Sequence, residues 1–292
     1  MSEIKSYSVG NGDMFYINHG SDNFTIIDCC LNDDNQKSIL DEVATLSGAK
    51  GITRFISTHP DDDHMRGLDL LDDKIKILNF YCVKNETTKE EETESFTRYC
   101  ELRQSDKAFH IFKGCSRKWM NLDDEVRGSS GINVLWPDTN HHAFKDALIE
   151  ASLGGSPNNL SPIIRYAVKD GVTALWMGDL ETEFMEEIED AVDLPAVDIL
   201  FPPHHGRDSG KIPTSIIEKL SPKIVVIGEA PSEHLNYYAG YNTITQNSAG
   251  DILFDCVSGQ VHVFTSYIYT VSFLEDYGLS RDGWFYVGTL NL

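Results

Sequence analysis

Apolar positions in this chain come in short runs separated by turn residues. Ser8-Val9-Gly10-Asn11-Gly12-Asp13 is turn chemistry, and Met14–Ile17 and Phe24–Asp28 read as short strands on either side of a polar bend. The spacing over residues 36–47 predicts a helix, and Ile52–Ser57 predicts a strand that delivers the chain into Thr58-His59. A helix is expected to open at Gly67-Leu68, and Ile75–Val83 reads as the next strand. Residues 84–106 are polar, with Glu90-Glu91-Glu92 at their centre, and predict a solvated helix with flexible ends; short strands are expected over 107–140. Pro162–Val168 pairs with Ala174–Met177 through Lys169-Asp170-Gly171, a hairpin that ends at Gly178-Asp179. An amphipathic helix over 181–193, a buried strand Val197–Phe201 stopped by Pro202-Pro203, a helix near 213–220, a strand Ile224–Ile227 and a β-rich tail to 292 complete the pattern. Strands and helices alternate, with hairpins at both ends and no repeat, so one α/β domain spanning 1–292 is expected, with helices outside.

Composition narrows the class. The chain has 292 residues, 41% of them hydrophobic, enough for a sizeable core. No run approaches the length of a membrane span, and Met-Ser-Glu-Ile-Lys-Ser-Tyr is not a signal peptide, so a cytoplasmic protein with no membrane partner is expected. Asp and Glu number 46 against 24 Lys and Arg, for a net charge of -22. Such a field repels nucleic-acid phosphates at long range, so a nucleic-acid substrate requires metals or a local groove to overcome it. None of Cys29, Cys30, Cys82, Cys100, Cys115 and Cys256 forms a C-x-x-C pair, which argues against a thiolate zinc site and for free thiols.

The densest chemistry lies at His59-Pro60-Asp61-Asp62-Asp63-His64. Imidazole nitrogens and carboxylate oxygens are both ligands for divalent ions, and three successive aspartates repel one another unless a cation sits among them. The alternative is an acidic, solvated loop with a helix-capping aspartate before Met65. Further polar groups flank other strand-like runs: Asp179, His204 and His205, and Asn158, Asn159 and Ser161. Polar ligands presented at strand ends are how α/β scaffolds build sites.

Thr58-His59-Pro60-Asp61-Asp62-Asp63-His64 resembles the H-x-H-x-D-H signature of the metallo-β-lactamase fold superfamily. Trp176-Met177-Gly178-Asp179-Leu180 looks like its bridging-aspartate motif, and Pro202-Pro203-His204-His205-Gly206 looks like its final histidine motif. Val9-Gly10-Asn11-Gly12-Asp13 and Asn158-Asn159-Leu160-Ser161 make the pattern similar to the hydrolase domain of the bacterial competence DNA-uptake channel and its stand-alone relatives. The resemblance covers roughly residues 5–230. Residues 84–145 match none of its motifs and are expected to be an insertion.

The resemblance implies an αββα sandwich, two mixed sheets with helices on the outer faces. It also implies a centre for two divalent ions, zinc or manganese. His59 and Asp61 would bind the first ion, Asp63, His64 and His205 the second, and Asp179 would bridge. The family's second signature histidine is Asp61 here, and its usual third histidine for the first ion has no clear counterpart; Ser161 or Asn159 occupies that region. A weak or empty first position is therefore expected. Metals lower the pKa of bound water, so the resemblance implies hydroxide attack on a phosphodiester, a nucleic acid or nucleotide, with Asp63 at the reacting centre. His204 and His234 are the candidate proton donors. Asp28 is expected to orient the signature loop, Asp62 to stay solvated, Glu229 and Ser232 to lie in a loop near the centre, and Arg207 and Ser209 either to hold phosphate or to belong to a flexible loop. The alternatives are hydrolysis of a small ester, lactone or thioester, or a noncatalytic regulatory module that has kept a partial metal site.

Overall fold

The computed structural model describes residues 1–230 and 236–292, so the expected roles of Ser232 and His234 lie outside the described residues. The apolar runs become β1 (Ser2–Ser6), β2 (Phe15–Asn18), β3 (Asn23–Ile27), β4 (Cys29–Cys30), α1 (Gln36–Gly48), β5 (Ile52–Ile56), α2 (Asp62–Met65) and α3 (Leu68–Ile75). Next come β6 (Phe80–Cys82), α4 (Glu94–Gln104), β7 (Ala108–His110), β8 (Ile132–Trp136), α5 (His142–Ser152), β9 (Ile163–Ala167), β10 (Thr173–Trp176), α6 (Thr182–Ile188) and β11 (Ile199–Phe201). The chain closes with α7 (Thr214–Leu220), β12 (Ile224–Ile227), β13 (Thr243–Thr245), α8 (Gln246–Ala249), β14 (Ile252–Val257), β15 (Gln260–Thr265) and β16 (Phe285–Asn291).

Among the described residues the strands form two mixed sheets, ordered β16-β15-β14-β1-β2-β3-β5-β6-β7 and β13-β12-β11-β10-β9-β8. Period-two alternation sorts the side chains of the larger sheet onto its two faces. Phe15, Ile17, Ile27, Ile56 and Tyr81 join the core shared with the smaller sheet. Their neighbours Tyr16, Ile26, Phe55 and Phe80 pack with Ile39 and Val43 of α1, Leu68 and Leu71 of α3, and Phe96 and Tyr99 of α4. The smaller sheet is covered by Phe144 of α5, Met185 of α6 and Ile217 of α7. The layers are therefore helix, sheet, sheet, helix, the sandwich that the resemblance implies. Residues 84–145 supply α4 and an edge strand to each sheet.

Three local expectations need correction. Ile75–Val83 does not make one strand: Leu68 and Leu71 share the buried face of α3, which runs through Ile75, and Lys76 stops it in a left-handed conformation (φ 55°). The helix expected across 84–106 begins only at Glu94, where the Thr93 hydroxyl accepts from the Phe96 amide (3.1 Å). Its Phe96, Tyr99 and Leu102 are buried, so it is a core helix with one solvated face. The stretch between His142 and Asn158, read as a long loop, instead forms helix α5; Ala143, Ala147 and Ala151 recur at four-residue spacing on its buried side.

β3 and β5 run parallel, as do β10, β11 and β12, and each set delivers its following loop to one rim of the sandwich. Just beneath that rim Trp176 stacks on Phe201 (ring centroids 4.7 Å apart, 9° between planes), and Phe15 meets Phe201 edge-on at 4.9 Å. Such pairs add about 0.5–1.5 kcal/mol each beyond area burial. They tie the two sheets together directly below the polar loops. Among the described residues no helix is long and apolar enough to cross a membrane, and the cysteines are free thiols, all but Cys100 buried.

Candidate metal centre

The site loop leaves β5 at Ser57 and is pinned from behind by Asp28. One Asp28 oxygen accepts from the Thr58 amide (2.8 Å), and the other accepts from the Thr58 hydroxyl (2.6 Å). That second oxygen also lies 2.8 Å from Nδ1 of His64. Asp28 follows β3 at φ 57°, a left-handed conformation that turns its carboxylate under the loop. The sequence expectation that Asp28 orients the loop fits this geometry. With Nδ1 of His64 donating to Asp28, its Nε2 is the bare nitrogen and points into the centre. The Thr58 hydroxyl donates to Asp28 and lies 3.0 Å from Nδ1 of His59, so His59 likewise presents Nε2.

Asp179 meets these imidazoles from β10. Its Oδ1 is 3.1 Å from Nε2 of His64, while its Oδ2 is 3.9 Å from Nε2 of His59 and 3.4 Å from Nδ1 of His204. The two oxygens thus face two separate groups of ligand atoms. Gly178 permits this placement at φ 53°: a Cβ there would lie 2.5 Å from Ser161 Oγ. His205 arrives from the turn after β11, with Nε2 3.5 Å from Asp63 Oδ2 and Nδ1 2.9 Å from Asp13 Oδ1. His204 and His205 both adopt positive φ (49° and 57°), which costs a non-glycine residue roughly 1–2 kcal/mol and persists only where the surroundings enforce it.

The donor set fits a metal. Nε2 of His59, Nε2 of His64, Oδ1 of Asp179 and both ring nitrogens of His205 are buried without a hydrogen-bond partner among the described residues. One ligand atom each from Asp13, His64, Asp179 and His205 falls within 4.8 Å of the others. Buried groups of this kind, close together yet unbonded, are costly unless a cation satisfies them. The charge states show the same tension. Burial opposes a charge on His64, but Asp179 and Asp28 hold its pKa well above the usual value. His205 is likewise opposed by burial and carried by Asp13 and Asp63 up to about 10. Burial and neighbouring His64 push His59 down to about 3. Despite burial, Asp179 is held well below the carboxylate range by His64, and Asp63 is lowered chiefly by His205. Bound ions would take over the neutralising role that protons play in this arrangement.

Not every residue read from the sequence as a ligand is placed as one. Asp61 caps α2 by accepting from the Asp62 amide, and its Oδ1 is held by the Lys89 ammonium at 2.7 Å. Ser161 lies behind His59, 3.2 Å from Nδ1, and its Oγ accepts from the Asp179 amide (3.0 Å); it orients two neighbours and does not face the ligand nitrogen. Both ends of the Asn159 side chain are bound to Glu181. Asp62 pairs with Arg66 on the surface. His141 and His142, the other histidines near the expected position, contact Trp136 and Glu187. Asp63, His59, His64, Asp179 and His205 do converge.

Two residues at the site were missed in the sequence. Asp13 follows Gly10 and Gly12 in a segment read as a turn and as part of the resemblance, with no ligand role given to Asp13 itself. Its backbone amide donates to the Asp63 carbonyl (3.1 Å), an approach that a Cβ on Gly12 would obstruct, since it would lie 2.6 Å from that same carbonyl. The Gly-Asp pair was the available signal. Lys89 stood in a charged segment with no motif, and nothing in its sequence surroundings marked it.

No protein-family model and no curated relative matches the sequence. Among solved structures, the chain is similar to a novel metallo hydrolase from the hyperthermophilic archaeon Ignicoccus hospitalis, at 18% identity and a TM-score of 0.47, over 87% of this chain and 99% of that one. It is also similar to a subclass B3 metallo-β-lactamase of Bradyrhizobium japonicum (13% identity, TM-score 0.36, 67% of this chain and 75% of that one). A third is a diiron β-hydroxylase from Streptomyces venezuelae (13%, 0.40), with 77% of this chain matching 44% of that one.

Proposed function

We propose that this chain is a metal-dependent hydrolase acting on a phosphodiester. The observation that carries the reading is Asp179, whose two oxygens separately face the buried Nε2 atoms of His64 and His59, neither of which has a hydrogen-bond partner among the described residues. His64, His205 and Asp63 would hold one divalent ion and His59 the other, with Asp179 shared between them. Zinc and manganese both suit this mixture of imidazole and carboxylate. When bound, such ions supply Lewis-acid charge and a nucleophile drawn from water at neutral pH.

The chain's own residues do the positioning. Asp28 and Thr58 fix which nitrogen His64 and His59 present, and Asp13 meets Nδ1 of His205 at 2.9 Å with its carboxylate still among the ligand atoms of the centre. A substrate would enter beside the centre, where Gly10, Asn11, Arg207, Glu229, Ala230 and Asn247 line an open pocket of about 370 Å³. Arg207 bonds Asn11 at this rim, and a guanidinium there suits an anionic phosphate oxygen. It also supplies a local positive group within a strongly acidic chain, opposite the Glu229 carboxylate that lines the same pocket.

The test is a substrate panel run on protein reloaded with zinc, manganese or magnesium. Cleavage of single-stranded DNA, RNA or a cyclic dinucleotide supports the reading. Turnover of lactones, thioesters or lactams alone would redirect it to a small-ester hydrolase. If no phosphodiester is cleaved with any of the ions, the reading fails.

A further inference from the structure

The signature leaves the first ion short of a ligand, and the structure places beside that gap the imidazole of His204, read from the sequence as a candidate proton donor. We propose that His204 completes the first metal position, together with His59 and Oδ2 of Asp179, and that Asp61 stands outside it. The inference rests on the metal-centre reading above and specifies its weaker half.

The distances carry the argument. Nδ1 of His204 is 3.4 Å and Nε2 of His59 is 3.9 Å from the same oxygen, Asp179 Oδ2. Ligand atoms each about 2.0–2.1 Å from one tetrahedral ion lie roughly 3.4 Å apart, so the His204 separation suits a shared cation as it stands, and His59 would have to move in by about 0.5 Å to join it. Nε2 of His59 is fully buried and has no partner among the described residues, which a cation would satisfy. The His204 ring is held by Asn158, whose Nδ2 is 3.3 Å from Nε2 while its Oδ1 is buried without a partner among the described residues. A half-turn of that amide brings Oδ1 to Nε2–H, satisfies the stranded oxygen, and leaves the lone pair of His204 on Nδ1, facing Asp179.

The backbone is shaped for the same end. His204 takes φ 49° and ψ 42°, and its amide donates to the carbonyl of Gly178, the residue before Asp179. Gly210 leaves room for it, since a Cβ there would lie 2.9 Å from the His204 Cβ. Asp61, by contrast, already has Lys89 at 2.7 Å and the Asp62 amide at 3.0 Å. Its charge is answered without an ion, and releasing it would strand Lys89. A surface imidazole with no binding role would have no need of an enforced left-handed backbone aimed at a buried carboxylate.

Metal content of the purified, dialysed protein tests this independently of any activity. The wild type should bind two equivalents of cobalt(II), H204A one, and D61N two. H204C should recover the second equivalent and add a thiolate-to-cobalt charge-transfer band in the near ultraviolet, a signature that folding damage cannot produce. Two equivalents retained by H204A, one lost from D61N, or an H204C protein without that band would each overturn the assignment of His204. One equivalent in the wild type would also overturn it while leaving a mononuclear centre, whereas no bound metal in the wild type would remove the underlying metal reading.

Discussion

Nδ1 of His64 and a carboxylate oxygen of Asp28 stand 2.8 Å apart, both residues sealed from solvent. This bond sets which nitrogen of His64 is free. A carboxylate behind a ligating histidine fixes the ring and raises its basicity, and its loss typically weakens metal binding about 10–100-fold. Asparagine tolerates the positive φ at this position, so D28N removes the charge without straining the backbone. D28N is expected to bind zinc about 10–100-fold more weakly in a competition titration against a chelating dye. Unchanged affinity would remove Asp28 from the account of the site.

Gly178 is the hinge on which Asp179 is set. A methyl group there would lie within 2.6 Å of both Cβ and Oγ of Ser161, at φ 53°, where alanine is strained. G178A is expected to destabilise the fold by about 1–3 kcal/mol, the usual cost of overpacking, and to lower metal content as Asp179 is displaced. Urea unfolding with parallel metal analysis checks both parts. Wild-type stability together with full metal content would contradict it.

How much of this was legible in the sequence follows from which contacts are local. The loop His59–His64 and the hairpin that ends at Asp179 are each a strand plus a turn, so composition and period revealed them. Asp13 reaches the site only because β1 and β2 join the larger sheet, which brings it against residues 50 and 192 positions further along the chain. Lys89 meets Asp61 through the packing of the loop before α4. Neither meeting is written in local pattern. The ligand reading of Ser161 and Asp61 followed the order of motifs, which fixes neighbourhoods but not which way a side chain turns.

The far rim of the sandwich has its own titrating group. His19 is buried, its Nε2 2.8 Å from the Thr25 hydroxyl, and burial together with the nearby cations Arg54 and Lys50 pushes its pKa well below the usual value. Below about pH 6.5 the unfolded chain takes up this proton and the folded chain does not, so stability falls with pH there, by up to about 1.4 kcal/mol per unit. Above that pH the group is neutral in both states and contributes no slope. With chelator present throughout, the wild type should lose stability faster than H19Q between pH 6.5 and 5 in denaturant titrations. Parallel slopes for the two proteins would show that His19 protonates freely in the fold.

The central claim is that buried imidazoles and carboxylates around Asp179 hold divalent metal and use it to cleave a phosphodiester. The most direct measurement is phosphodiester turnover by wild type and D179N, each stripped with chelator and then reloaded with manganese or zinc. The account predicts no turnover by stripped wild type, recovery on reloading, and a loss of at least about 100-fold in folded D179N, the scale expected when a principal electrostatic contact at a reacting centre is removed. Turnover that survives stripping, or that is equal in D179N, would contradict it.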